Sequence, residues 1–230
     1  MKRKINDNGY EIIVFDCDST LSAVEGIDLL AEKHGVKEAV EEITHHTMNG
    51  NSNFAEALAL RLNLVQPLRE DLYWLGQEYI KKTIPGTIKL ISDLKKEGKD
   101  IYIISGGFEA AIKVFAEHIK VDASHIFSNV LLFDNEGKYK GFDDSNPLSK
   151  NHGKKIMLKE LAKLGSILFV GDGVTDLEAK EVVDLFVGFG GVKIREVVKN
   201  EADLFIEDKT LEKIKDMAVG KQKLDNSGSM

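Results

Sequence analysis

Residues Ile12 to Leu21 read I-I-V-F-D-C-D-S-T-L, an apolar run followed at once by two aspartates around a cysteine. A short run so rich in β-branched and aromatic residues predicts a strand covered on both faces. Asp16 and Asp18 then stand at the strand's carboxyl end, the edge where ligands bind in open parallel sheets. One acid there can attack a substrate while the other handles protons. The same pair also fits a turn with two capping aspartates, so the rest of the chain has to decide between a site and a turn.

Composition narrows the classes. The chain has 230 residues, 43% hydrophobic and 30% charged, which suits a soluble globular protein of one large α/β domain or a core with a smaller insertion. No apolar run approaches the roughly eighteen residues that a membrane helix needs. Met1-Lys2-Arg3-Lys4 is basic, but the apolar stretch that follows is short and ends in Asp16, unlike a secretory signal. Cys17 is the single cysteine, so an internal disulfide and a cysteine-based zinc cluster are excluded, and a reducing cytoplasm is expected. A net charge of −7 argues against nucleic acid as a partner. An anionic substrate would need local positive charge.

From Ser19 to about Lys82 strand-like runs vanish and helical periodicity takes over. Ile27, Leu30 and Ala31 mark one apolar face before Gly35, and Phe54, Leu58, Leu62 and Val65 mark another before Pro67. Alternation then returns. Leu90, Ile91 and Leu94 predict a helix closing at Gly98, and Ile101–Ile104 predict a buried strand running into Ser105-Gly106-Gly107-Phe108, where it turns into a helix. Amides at such a turn can hold an anion. Asn129–Phe133 and Lys138–Phe142, separated by Asp134-Asn135-Glu136-Gly137, predict a small β-hairpin. Asn151-His152-Gly153-Lys154-Lys155 precedes another helix, Ile167–Val170 is a strand ending in G-D-G-V-T-D at 171–176, and strands at 185–189 and 204–206 follow.

The pattern predicts an α/β fold, a Rossmann-like doubly wound parallel sheet with an inserted helical cap and a small β-hairpin. Residues 1–18 and 83–230 form the core in this reading, and 19–82 the cap.

Four carboxylates, Asp16, Asp18, Asp172 and Asp176, are thus brought to one sheet edge, where they repel unless cations join them. Magnesium, a hard cation with oxygen ligands, answers part of that problem and Lys154 another part. A metal, an ammonium and the Ser105 hydroxyl facing a phosphate point to phosphoryl transfer through an aspartyl-phosphate. Glu25 and Arg61 stay open at this point. The first fits favourable charge at a helix N-terminus, and the second a snorkelling or paired base beside an apolar stripe.

D-C-D-S-T-L, Ser105 after a strand, Lys154 and G-D-G-V-T-D, in that order, resemble the four motifs of the haloacid dehalogenase superfamily. Within it, V-E-G-I-D at 24–28, M-N-G at 48–50, Arg61, S-G-G-F at 105–108 and G-F-G-G at 188–191 resemble the branch that acts on O-phosphoserine, over Glu11 to about Leu211. The resemblance implies Mg2+-dependent hydrolysis of O-phospho-L-serine, the last step of serine biosynthesis. It makes Asp16 the nucleophile and Asp18 the acid and base. Asp16, the Asp18 backbone carbonyl and Asp172 hold magnesium in this scheme, with Asp176 orienting Lys154 or the metal's waters. Ser105, Gly106, Lys154 and Thr175 hold the phosphate end; Glu25 faces the ammonium, Arg61 the carboxylate, and Met48, Gly50 and Phe54 line the pocket. The alternatives are transfer to a hydroxyl such as homoserine's, hydrolysis of another small phosphomonoester, or a non-catalytic sensor. A monomer or homodimer with a small-molecule substrate is expected.

Some features fall outside this scheme. Cys17 lacks the H-C-x5-R loop of cysteine phosphatases and is expected to pack. Adjacent His45 and His46 diverge on a helix and cannot form an i, i+4 metal pair. His152 reads as a solvated loop residue, G-F-G-G lacks the full dinucleotide fingerprint, and Lys193 and Arg195 are placed near the site's edge.

Overall fold

The predicted strand Ile12–Phe15 is the central strand, β1, of a six-stranded sheet. The computed structural model describes residues 8–48 and 53–220, the side chains of 45–48 excepted. Helices α1 (Gly26–Lys33), α2 (Lys37–Met48), α3 (Phe54–Val65) and α4 (Arg69–Lys81) follow, then α5 (Thr87–Lys96), β2 (Asp100–Phe108), α6 (Glu109–Ile119), β3 (Ile126–Asn129) and the pair β4 (Leu131–Phe133) and β5 (Tyr139–Phe142). The chain continues through α7 (Gly153–Leu161), β6 (Ile167–Gly171), α8 (Val174–Leu177), β7 (Leu185–Phe189), α9 (Glu196–Glu201), β8 (Leu204–Ile206) and α10 (Ile214–Ala218). The sheet order is β3-β2-β1-β6-β7-β8, with every neighbouring pair parallel, so the connection reverses direction beside β1. That reversal opens a crevice at the carboxyl ends of β1 and β6.

Both faces of β1 are covered, which is why its run is apolar without alternation. Ile13 and Phe15 pack with Ile91 and Phe115 on one side, while Ile12 and Val14 pack with Leu158, Phe169 and Phe186 on the other. Ile13, Val14 and Phe15 are fully buried, each contributing about 1.5–3 kcal/mol of apolar transfer. α1, α3 and α4 join the first of these clusters through Leu30, Leu58, Leu62 and Leu75.

Helix ends fall where the sequence places them. Gly35 (φ 72°) and Gly98 (φ 70°) take left-handed backbone after α1 and α5. α3 stops at Val65 with Gln66 left-handed and Pro67 beyond. The hairpin forms as β4 and β5; Asp134 Oδ1 accepts the amides of Glu136 and Lys138, both at 2.9 Å, to close the turn. Two local readings differ. Asn129 belongs not to the hairpin, which starts at Leu131, but to β3, an edge strand of the main sheet that the sequence pattern did not mark. β2 does not end at Ile104 but runs on through Ser105-Gly106-Gly107 to Phe108, with its pairing to β3 shifted between Ile104 and Phe108. Two glycines let the strand depart from regular pleating without a side-chain clash, so the helix starts only at Glu109.

Candidate active site

Asp16 is the first residue past β1, and the chain bends at Cys17 and passes through left-handed Ser19 (φ 52°). The amide of Cys17 donates to Asp16 Oδ1 at 2.7 Å, which leaves Oδ2 for Lys154 Nζ at 2.9 Å. Lys154, from the first turn of α7, also reaches Asp176 Oδ1 at 2.5 Å. Burial works to lower the Lys154 pKa, but Asp16 and Asp176 more than offset it, so the ammonium is held above its ordinary value. Asp176 lies in the first turn of α8, and its other oxygen accepts the Gly173 amide at 2.9 Å; burial pushes its pKa up to about 6 against the pull of Lys154.

Asp172 follows β6 and is buried. Burial, then Glu25, push its pKa well up, and Arg195 pulls the other way. Arg195 bonds Asp172 Oδ2 through Nε (3.2 Å) and Nη2 (3.1 Å), and the same Nη2 lies 3.4 Å from Glu25 Oε1. Oxygens of Asp16, Asp172 and Asp176 lie within 4.8 Å of one another. Three buried carboxylates offering only hard oxygen donors fit a divalent cation such as magnesium or calcium better than a soft metal. The Asp18 side chain is not in that cluster: its Oδ1 accepts from the Tyr79 hydroxyl at 2.5 Å.

A cavity of about 420 Å³ lies over these residues, within the range of small-ligand sites. Asp16, Asp18, Glu25, Phe54, Arg61, Ser105, Gly106, Lys154, Asp172 and Thr175 all line it, so the strand-end motifs and the helical residues meet in one place. Asp176 lies behind, bound to Lys154. The Met48 side chain and Gly50 lie outside the described residues, as do the His45 and His46 side chains. Ser105 Oγ accepts the Gly107 amide at 3.1 Å, and the Phe54 ring covers Gly106 so closely that a Cβ there would sit 3.2 Å from it.

Glu25 is held by Ser19 Oγ at 2.8 Å, and Arg61 by the Ala57 carbonyl at 3.1 Å with Thr44 Oγ1 at 3.5 Å. Burial lowers the Arg61 pKa, and Asp28 and Glu25 oppose that. The buried Cys17 thiol is pushed well up by burial, as a packing residue would be, and His152 pairs through Nδ1 with Glu178 at 2.9 Å on the rim. The sequence pattern marks Arg195 only as near the site's edge and carries no signal for Thr44, Asn151 or Tyr79. Asn151 Oδ1 accepts the Ala55 amide at 3.2 Å, joining the start of α3 to the loop before α7.

A parallel α/β sheet that carries a buried lysine–carboxylate pair at its carboxyl edge, beside two further aspartates, is the frame of a hydrolase that handles anionic substrates. A family model described as haloacid dehalogenase-like hydrolase matches residues 10–183. The human phosphoserine phosphatase is 40% identical over 201 residues, covering 86% of this chain and 89% of that one. The Methanocaldococcus jannaschii phosphoserine phosphatase is 32% identical over 211 residues, covering 89% and 95%. A solved substrate-bound phosphoserine phosphatase complex superposes with a TM-score of 0.76 at 28% identity, covering 93% and 98%. The chain belongs to the haloacid dehalogenase-like hydrolases and, among them, to the phosphoserine phosphatase family. Hydrolases of this kind use a divalent metal, which the aspartate cluster suits.

Proposed function

We propose that the protein hydrolyses O-phospho-L-serine to L-serine and phosphate through an aspartyl-phosphate on Asp16. The observation that carries this reading is the meeting of Asp16, Ser105 and Lys154 with both Glu25 and Arg61 around one cavity. A zwitterionic amino acid with a phosphate has three charged groups, and the cavity offers a partner for each. Lys154, the Ser105 hydroxyl and the Gly106 backbone receive the phosphate, with Thr175 beside them. Arg61 takes the carboxylate with its planar fork, and Glu25 takes the ammonium in place of Arg195. Phe54 closes one side over Gly106.

Asp16 attacks phosphorus from the oxygen beside Lys154, and Asp18 protonates the departing serine oxygen. Water then attacks the phosphoaspartate, giving its proton back to Asp18. Magnesium is assigned to Asp16, Asp172 and the Asp18 backbone carbonyl, where it would neutralise charge on the phosphoryl group, with Asp176 orienting Lys154. Residues 19–82 act as a cap over a core of 1–18 and 83–230, closing to exclude water before phosphorylation. The setting is the cytoplasm, at the end of serine biosynthesis. Phosphate release from O-phosphoserine by the purified protein, with and without Mg2+, tests the reading. Absence of metal-dependent release, or equal release by Asp16→Asn, would overturn it.

A further inference from the structure

Tyr79 stands apart among the fully buried aromatic residues because its hydroxyl is spent on a charged group. The ring is completely buried near the end of α4 and tilts against Phe115 of α6, with centroids 5.9 Å apart. A phenylalanine would fill that space as well, and a buried hydroxyl costs stability unless it is bonded. Its bond is the 2.5 Å contact to Asp18 Oδ1.

The hydroxyl has little freedom to be elsewhere. α4 is seated directly on α6, since a Cβ at Gly76 would lie 2.6 Å from the Val114 Cβ and 2.9 Å from the Ala111 carbonyl oxygen. The Tyr79 carbonyl accepts from Ser22 Oγ at 2.9 Å, tying the end of α4 to the segment just after D-C-D-S-T. Gly26 clears the space for the phenol, because a Cβ there would meet the Tyr79 oxygen at 2.4 Å. The Gly26 amide also bonds the Asp18 carboxyl. Asp18 Oδ2 lies beside the end of β2: a Cβ built on Gly107 would lie 3.3 Å from it and 3.4 Å from Ser105 Oγ.

We propose that Tyr79 is a positioning residue for Asp18: by donating to Oδ1 it fixes the carboxyl plane and reserves Oδ2 for the proton transfers of both half-reactions. The inference rests on Asp18 being the acid and base. In the first half-reaction an Asp16 oxygen bonds phosphorus, the phosphorus–serine oxygen bond breaks, and that oxygen keeps the electron pair and takes the proton from Asp18 Oδ2. In the second, a water oxygen bonds phosphorus and loses a proton to Oδ2. The Asp16–phosphorus bond breaks, restoring the carboxylate. The tyrosine keeps its own proton throughout. A carboxyl's terminal torsion is soft, so without Tyr79 the proton-bearing oxygen would be spread over orientations. A misplacement of about 1 Å can cost about 100-fold in rate.

Tyr79→Phe removes one oxygen and keeps the packed ring. It should lower kcat for O-phosphoserine about 10- to 100-fold while changing KM less than about twofold. With p-nitrophenyl phosphate, whose leaving group needs no proton, the single-turnover phosphorylation rate should fall less than about threefold. A kcat for O-phosphoserine within about twofold of the parent's, or an equal loss of phosphorylation rate on both substrates, would overturn the proposal. If the parent hydrolyses the aryl ester but not O-phosphoserine, the substrate assignment fails alone. The Tyr79 comparison then runs on a simple alkyl phosphate such as glycerol phosphate, with the same two criteria.

Discussion

The cavity has two unlike walls. On the core wall, Asp16 and Asp172 stand just past strand ends fixed by the parallel ladder, and Lys154 joins Asp16 to Asp176, behind it in α8, with ion pairs of 2.9 and 2.5 Å. On the helical wall, Glu25 is held by the Ser19 hydroxyl and by Arg195 from across the site, and Arg61 by a helix carbonyl and the Thr44 hydroxyl, with no carboxylate bonded to its guanidinium among the described residues. The core wall is ordered before any ligand arrives, so it suits charge development in a transition state. The helical wall keeps its charges exchangeable, so it suits a zwitterion that must enter and leave. On the proposed reading, reaction and recognition fall on parts of the fold that are held by different kinds of contact.

Core-wall substitutions should cost rate on every phosphomonoester, and helical-wall substitutions should cost affinity for the amino-acid part. The largest effect expected is from Asp16→Asn: phosphate release should fall about 10⁴-fold or more on O-phosphoserine and on p-nitrophenyl phosphate alike. A loss confined to one substrate would break the division. Lys154→Ala comes next, at about 10³-fold in kcat on both substrates, because it removes the cation between Asp16 and Asp176. Arg61→Ala should instead raise KM for O-phosphoserine about 10- to 100-fold and leave the aryl ester within about threefold, read from steady-state kinetics on the two substrates. Equal losses on both would remove Arg61 from recognition.

The two walls also differed in how much of them could be read from sequence. Strand ends carry a local signal: Ile12–Phe15 is an apolar run stopped by Asp16, Ile167–Val170 is one followed by Gly171 and Asp172, and a parallel sheet brings such ends to one edge whatever lies between them. Ser105 was readable for the same reason, although the glycines after it extend the strand to Phe108. Glu25 and Arg61 became readable only through resemblance, because a charge near an apolar stripe has ordinary explanations. Arg195 had nothing beyond its nearness to G-F-G-G, since its partners Asp172 and Glu25 lie 23 and 170 positions away. Tyr79 had no signal at all: its meaning arises from α4 lying on α6, and no periodicity reports which aromatic hydroxyl will find a carboxylate.

Asp71 is the same kind of residue in the helical wall's scaffold, and it carries the smallest effect expected. It is 1% exposed, with Lys33 Nζ at 2.7 Å from Oδ1 and with both His34 Nε2 and the Leu68 amide at 2.7 Å from Oδ2. These contacts bind the end of α1 to the start of α4. Burial alone pushes the Asp71 pKa up, but the bonds from Lys33, Leu68 and His34 outweigh it and leave the carboxyl below its ordinary value. Asp71→Asn should therefore cost about 1–3 kcal/mol of stability, a drop of about 2–10 °C in Tm, by leaving Lys33 without its anion. kcat and KM should stay within about twofold, because Asp71 touches nothing in the cavity. An unfolded aspartate titrates near about pH 3.9, and the folded one titrates lower, so between those values the unfolded chain binds more protons. The stability difference between the parent and Asp71→Asn should be full near about pH 6 and shrink as pH falls below about 4, read by thermal melts across that range. A difference that widened on acidification would mean that the folded carboxyl is raised, with burial winning over its three partners.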